Sequence, residues 1–124
     1  MKKAGMGILV LLLLAVLGAC GSGATYQDVS PEKAQALIQE EDVQVLDVRT
    51  SQEFAEGHIP GAMLIPLQEL EGRLGELDKE GKYVVVCRSG NRSAQASEIL
   101  AENGFTNIHN MNGGMSQWTG DVKF

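Results

Sequence analysis

The 124-residue chain has two cysteines, three prolines, two histidines, one tryptophan, two tyrosines and three phenylalanines. Each scarcity excludes something. An apolar set dominated by aliphatic residues and poor in aromatics fits a small layered α/β domain better than a β-sandwich. His58 and His109 stand far apart with no carboxylates arranged around them, so no metal site is expected and no cofactor is implied. Basic residues form no stripe, which argues against nucleic acid as a partner. The net charge is −6, or −8 without Lys2 and Lys3, and such an acidic surface bears on solubility rather than fold. No apolar run reaches the roughly 20 residues that a spanning helix needs. There is no internal repeat, and the length suits one domain.

The amino end carries the pattern of an export signal. Lys2 and Lys3 precede an apolar run from Ile8 to Leu17, followed by Leu17-Gly18-Ala19-Cys20. These four residues resemble the bacterial lipobox, in which small side chains admit the backbone to a peptidase and the cysteine thiol takes a diacylglyceryl group. The alternative is an uncleaved anchor with an incidental cysteine. The expected organisation is a signal peptide over residues 1–19, a lipidated Cys20 with a flexible Gly/Ser tether over 20–25, and one domain over 26–124. The domain is then extracytoplasmic and membrane-tethered through Cys20, and Cys87 is left as a single thiol without an intramolecular partner.

Along the domain, strands and helices alternate. Ser30-Pro31 reads as an N-cap and first helical residue, with Ala34, Leu37 and Ile38 on one face. Val43 to Val48 reads as a strand, Thr50 or Ser51 as the cap of a short helix ending at Gly57, and Gly61 to Ile65 as a short strand. Leu67, Leu70, Leu74 and Leu77 have helical spacing, although Gly72 and Gly75 weaken that helix. Lys82 to Val86 is a continuous apolar strand, expected to be buried on both faces. A helix from about Asn91 to Asn103 stops at Gly104, Asn107 to Asn110 suggests another strand, and a short last helix holds Trp118, expected in the core. His109 is expected on a strand or at the surface. This alternation argues a three-layer α/β domain with a central, mostly parallel sheet. Ligand sites in such sheets lie beyond the carboxyl ends of the strands, where Cys87 falls.

The loop Cys87-Arg88-Ser89-Gly90-Asn91-Arg92-Ser93 joins the most apolar strand to a helix start. A buried cysteine is often a small hydrophobe, but here the surroundings favour chemistry. Free N–H groups at a helix start form an anion nest, and the helix dipole favours thiolate over thiol. Arg88 and Arg92 add positive charge, and Gly90 permits a tight turn. The cradle suits a nucleophilic sulfur attacking an anionic sulfur donor. Ser89 and Ser93 either donate hydrogen bonds to that sulfur or cap the helix.

This loop resembles the active-site loop of single-domain rhodaneses, the thiosulfate sulfurtransferases. Leu46-Asp47-Val48-Arg49 with Glu53-Phe54 resembles the family's first signature, Glu56-Gly57-His58-Ile59-Pro60-Gly61-Ala62 the second, and Gly113-Gly114-Met115-Ser116-Gln117-Trp118 the C-terminal one. The resemblance runs from about Tyr26 to Trp118 and implies a rhodanese-like fold with Cys87 as the catalytic residue, carried as a persulfide. It implies substrate contacts from Arg88, Ser89, Gly90, Asn91, Arg92 and Ser93. The partners it implies are a small sulfur-containing anion or thiol and, alternatively, a protein sulfur acceptor. A non-catalytic persulfide carrier or partner-binding module is the rival reading. Related phosphatases and arsenate reductases have five residues between cysteine and arginine, whereas Cys87 and Arg92 enclose four. Asp47, Arg49, Glu53 and His58 are expected to be structural or pocket-shaping, Asp47 and Arg49 as a buried pair. Leu64 departs from a usually polar position, and the segment after Trp118 is short.

Overall fold

The computed structural model describes residues 25–124. The signal peptide, the lipidated Cys20 and nearly all of the tether expected from the sequence lie outside the described residues. Five strands, β1 (Gln27–Val29), β2 (Val43–Asp47), β3 (Met63–Leu64), β4 (Lys82–Val86) and β5 (Ile108–Met111), form one sheet. All pair in parallel, in the order β1-β5-β4-β2-β3. The helices are α1 (Pro31–Ile38), α2 (Ser51–Ala55) and α3 (Asn91–Glu102). The fold is therefore the expected α/β arrangement.

The alternation of β4 divides the core in two. Val84 and Val86 pack with Ala34 and Leu37 of α1, and with Val29, Val45, Ile59 and Met111. Tyr83, Val85 and Cys87 point to the other face, with Ala96 and Leu100 of α3, Leu46, Ile65 and Phe105. Burying each such aliphatic side chain contributes about 1.5–3 kcal/mol. A strand flanked on both sides by helices has no solvated face, which is why β4 reads as an unbroken apolar run.

Local signals act where expected. Ser30 accepts from the Lys33 N–H at 3.0 Å and caps α1. Thr50 caps α2 in a reciprocal box, since Glu53 reaches back to the Thr50 N–H at 3.0 Å.

Two expectations change. Leu67, Leu70, Leu74 and Leu77 do not share an α-helix. Leu67 and Leu74 lie in two 3-10 segments, Leu67–Glu69 and Glu71–Glu76, with a non-helical Arg73 inside the second, while Leu70 and Leu77 stand at the C-caps of the two segments. The two pairs are spaced i, i+3, the spacing at which side chains eclipse in a 3-10 turn, and the two glycines disfavour a longer helix. Leu70 is fully buried and the other three are half-buried against the α3-side core. The second change is β1, an edge strand that the sequence pattern missed because Val29 is its one buried residue.

Candidate active site

Strand alternation places Cys87 on the α3 face immediately beyond β4, and the chain turns there into α3. The turn is held from two sides. The Met115 N–H donates to the Cys87 carbonyl at 2.8 Å, and the Ser116 N–H donates to the Arg88 carbonyl at 3.0 Å. Gly90 sits at the N-cap of α3 with φ of 101°, and no side chain caps the helix there. The first-turn N–H groups are thus left for the sulfur.

The Cys87 side chain is 1 % exposed. The Gly90 N–H donates to Sγ at 3.0 Å, and Sγ donates to Ser93 Oγ at 3.4 Å, a bond that reverses when the thiol ionises. Burial is the largest single influence on this thiol and pushes its pKa up. The Ser93 hydroxyl and the backbone N–H groups of Ser93, Gly90 and Ser89 together outweigh burial, so the pKa lies below the ordinary value. The cause is hydrogen bonding to the charged form. Ser93, fully buried, is therefore the serine that meets the sulfur, while Ser89 is exposed. A hydrogen bond to a charged group is worth about 1.5–3 kcal/mol, so Ser93→Ala is expected to slow thiolate alkylation below pH 7 by about tenfold. The inflection of the alkylation rate against pH should move to higher pH.

The two loop arginines have different surroundings. The Arg92 guanidinium is held by Glu53 in a bidentate pair, Nη1 to Oε1 at 2.8 Å and Nη2 to Oε2 at 2.9 Å. That pairing raises the pKa of Arg92 and lowers that of Glu53 to about 2, against a smaller opposing effect of burial. Among the described residues, Arg88 is exposed and has no carboxylate within ion-pair distance. Because the Glu53 carboxyl is depressed on folding, its contribution to stability is complete above its ordinary pKa of 4.5 and is lost as pH falls toward 2. Thermal unfolding followed from pH 5 to pH 2 should show a shallower loss in Glu53→Gln than in the wild type.

Arg49 donates to Asp47 through Nε at 2.9 Å and Nη2 at 2.8 Å, and from Nη2 to the Gly57 carbonyl at 2.8 Å. Both residues are buried. His58 stacks on Phe54, with ring centroids 3.7 Å apart, and its Nδ1 lies 2.8 Å from the Phe54 carbonyl oxygen. Its backbone pairs with Lys123. Asn91 is exposed at the start of α3, and half-buried Leu64 pairs with Asp47 across β2 and β3. His109 lies buried in β5, and Trp118 is half-buried against the α1-side core. Among the described residues, no group of three or more His, Cys, Asp or Glu is arranged to hold a metal ion.

A cavity of about 250 Å³ opens beside the loop, lined by Arg49, Glu53, Glu56, Gly57, Arg88, Met115 and Ser116. It is smaller than the roughly 300–1,000 Å³ of drug-sized sites, so it suits a short ligand. Glu56, Gly57, Met115 and Ser116 are not among the site residues expected from the sequence. The signal for the last two was the Gly113 to Trp118 motif, since the N–H groups following Gly114 are those that bond the loop.

A parallel sheet that ends in a buried thiol, with helix N–H groups turned onto its sulfur, defines an anion cradle built around a cysteine. The chain belongs to the rhodanese-like domain family, which it matches over residues 30–121. It is 40% identical over 92 residues to the putative sulfurtransferase YtwF of Bacillus subtilis, covering 74% of this chain and 85% of that protein. It is 38% identical over 89 residues to the putative sulfur carrier protein YrkF of the same organism, covering 72% of this chain but only 48% of that longer protein. The crystal structure of a rhodanese-like domain protein from Staphylococcus aureus matches with a TM-score of 0.72 at 34% identity, covering 79% of this chain and 97% of that one.

Proposed function

We propose that the chain is a sulfurtransferase that carries sulfane sulfur on Cys87 as a persulfide. The observation that supports this most is the ring of donors on Sγ, the Ser93 hydroxyl with the N–H groups of Gly90, Ser93 and Ser89, which lowers the thiol pKa despite burial. A cysteine poised this way is a thiolate nucleophile. The thiolate attacks the outer sulfur of thiosulfate or of a persulfide. A new S–S bond forms on Cys87, the donor's S–S bond breaks, and sulfite or a thiolate leaves with the electron pair. The same N–H groups then hold the anionic outer sulfur of the persulfide. A thiol or cyanide attacks that sulfur in turn and returns the Cys87 thiolate. Since Sγ has almost no exposure, exchange requires local movement of the loop.

Four residues between Cys87 and Arg92 favour sulfur over a phosphate-sized oxyanion. Likeness to a putative sulfur carrier supports a second reading, in which the persulfide is handed to a protein acceptor without rapid turnover of small donors. We also propose that the chain is exported and lipid-anchored through Cys20, on the pattern of its first 20 residues. The described domain begins beside β1 at the amino edge of an all-parallel sheet, and Cys87 lies beyond the carboxyl edge. A tether at the amino end would leave the cradle open to the aqueous side.

The test is intact-mass measurement of the full chain, in mild detergent, after thiosulfate and then cyanide. A gain of one sulfur, about 32 Da, that cyanide reverses and Cys87→Ser abolishes is the expected result. No gain on a thiol shown to be free and reactive would sink thiosulfate as donor. Steady-state rates with thiol acceptors then separate an enzyme from a carrier.

A further inference from the structure

Charge around the cradle is nearly balanced. Asp47 neutralises Arg49 at 2.8 Å and Glu53 neutralises Arg92 at 2.8 Å. Arg88 is the cavity-lining arginine without an ion-pair partner among the described residues, and exposed Glu56, whose carboxylate is equally unpaired among them, belongs to the same lining. A doubly charged inorganic donor would meet one unpaired guanidinium and one unpaired carboxylate there. The lining also contains one large apolar residue, Met115, which is half-buried and packs in part against the α1-side core. A dianion with no apolar part makes no use of it, whereas a donor with a short organic arm buries that arm against it.

We propose that Glu56 and Met115 set the choice of donor, so that this site favours an organic sulfane with at most one negative charge, R–SO2–S⁻ or R–S–SH, over the thiosulfate dianion. The proposal rests on the Cys87 persulfide reading and adds the class of donor to it. With a thiosulfonate, the Cys87 thiolate attacks the outer sulfur, the bond to the sulfonyl sulfur breaks, and a sulfinate leaves with the electron pair. Two negative charges enter and two remain, on the persulfide and the sulfinate, so no proton or redox partner is needed. With a hydropersulfide, a thiolate leaves and the proton stays on the transferred sulfur.

Methanethiosulfonate and thiosulfate make the test, because a methyl group in one replaces a charged oxygen in the other with little change of shape. Single-turnover loading of the full chain is measured with each, and each rate is divided by that of a free small thiol with the same donor. The wild type should favour the monoanion at least threefold after this correction. Changing one charge across ~7 Å of solvated pocket is worth about threefold. Glu56→Gln should therefore lower the preference by about that factor, mainly through faster thiosulfate loading. Met115→Ser should slow the monoanion more than thiosulfate, and an unchanged ratio in that variant overturns the part given to Met115. A corrected preference for thiosulfate, or a ratio unmoved by Glu56→Gln, overturns the proposal while Cys87 persulfide formation stands. Failure of both donors to load a free, reactive thiol overturns the persulfide reading and the donor proposal together.

Discussion

Gly114→Ala is expected to lower the unfolding free energy by about 2–4 kcal/mol and to slow Cys87 loading about a hundredfold. Gly114 holds a φ of 59°, and a left-handed backbone costs an L side chain roughly 1–2 kcal/mol. A Cβ there would stand 2.5 Å from the Arg88 carbonyl carbon and oxygen and from the Cys87 carbonyl oxygen. These are backbone atoms of the cradle, so no rotamer change relieves the overlap, and either the 114–117 turn or the loop must retreat. Retreat stretches the bonds from the Met115 and Ser116 N–H groups to the Cys87 and Arg88 carbonyls. An overpacked core site costs about 1–3 kcal/mol, and a nucleophile displaced by about 1 Å loses on the order of a hundredfold in rate. Gly72→Ala is the control, because a Cβ at Gly72 has nothing within 4 Å and no positive φ to strain. It should lie within about 0.5 kcal/mol of the wild type. Urea midpoints and single-turnover loading of the three proteins check both effects. A Gly114→Ala protein with a wild-type midpoint and rate would mean that the loop is not held from this side.

What could be read in the sequence depended on how local each cause is. β4 and Cys87 were legible together, because a strand covered on both faces must be apolar throughout, and the residue after its last valine falls at the sheet's carboxyl edge. The caps at Ser30 and Thr50 lie within three residues of the N–H groups they satisfy. β1 was missed, since an edge strand with two exposed residues in three carries almost no pattern. The leucines from 67 to 77 have i, i+3 pairs that fit both helix types, and Gly72 and Gly75 weaken an α-helix without marking the break that falls at Arg73. Within the loop, Ser89 and Ser93 looked alike. Only the direction in which α3 leaves Gly90 turns Ser93 onto the sulfur and Ser89 into solvent. Arg92 is neutralised by Glu53, 39 positions earlier, and Glu56 reaches the cavity from the end of α2. Neither relation is a spacing within one element, so the loop alone gave two positive charges where the fold leaves one unpaired.

Asp47→Ala is expected to destabilise the domain by about 3–5 kcal/mol, because it strands a buried guanidinium. Asp47 is fully buried and Arg49 is 6 % exposed. The carboxylate accepts the Arg49 backbone N–H at 3.1 Å besides the guanidinium bonds. Without it, Arg49 keeps only the Gly57 carbonyl as an acceptor among the described residues, and its charge stays in a poorly solvated place. Replacing both partners by apolar residues of similar size, Asp47→Val with Arg49→Met, removes the stranded charge and should recover most of the loss, since a buried pair contributes less net stability than its breaking suggests. The double variant also separates the two roles expected for this pair. Arg49 lines the cavity, but its guanidinium is already committed to Asp47 and Gly57, which makes it a positioning residue rather than one that grips the donor. Loading should then return with stability, to within about tenfold of the wild type, with the loss confined to kcat by the missing bond to Gly57. A double variant that regains its urea midpoint yet shows a KM raised a hundredfold would instead place Arg49 in direct contact with the sulfur donor.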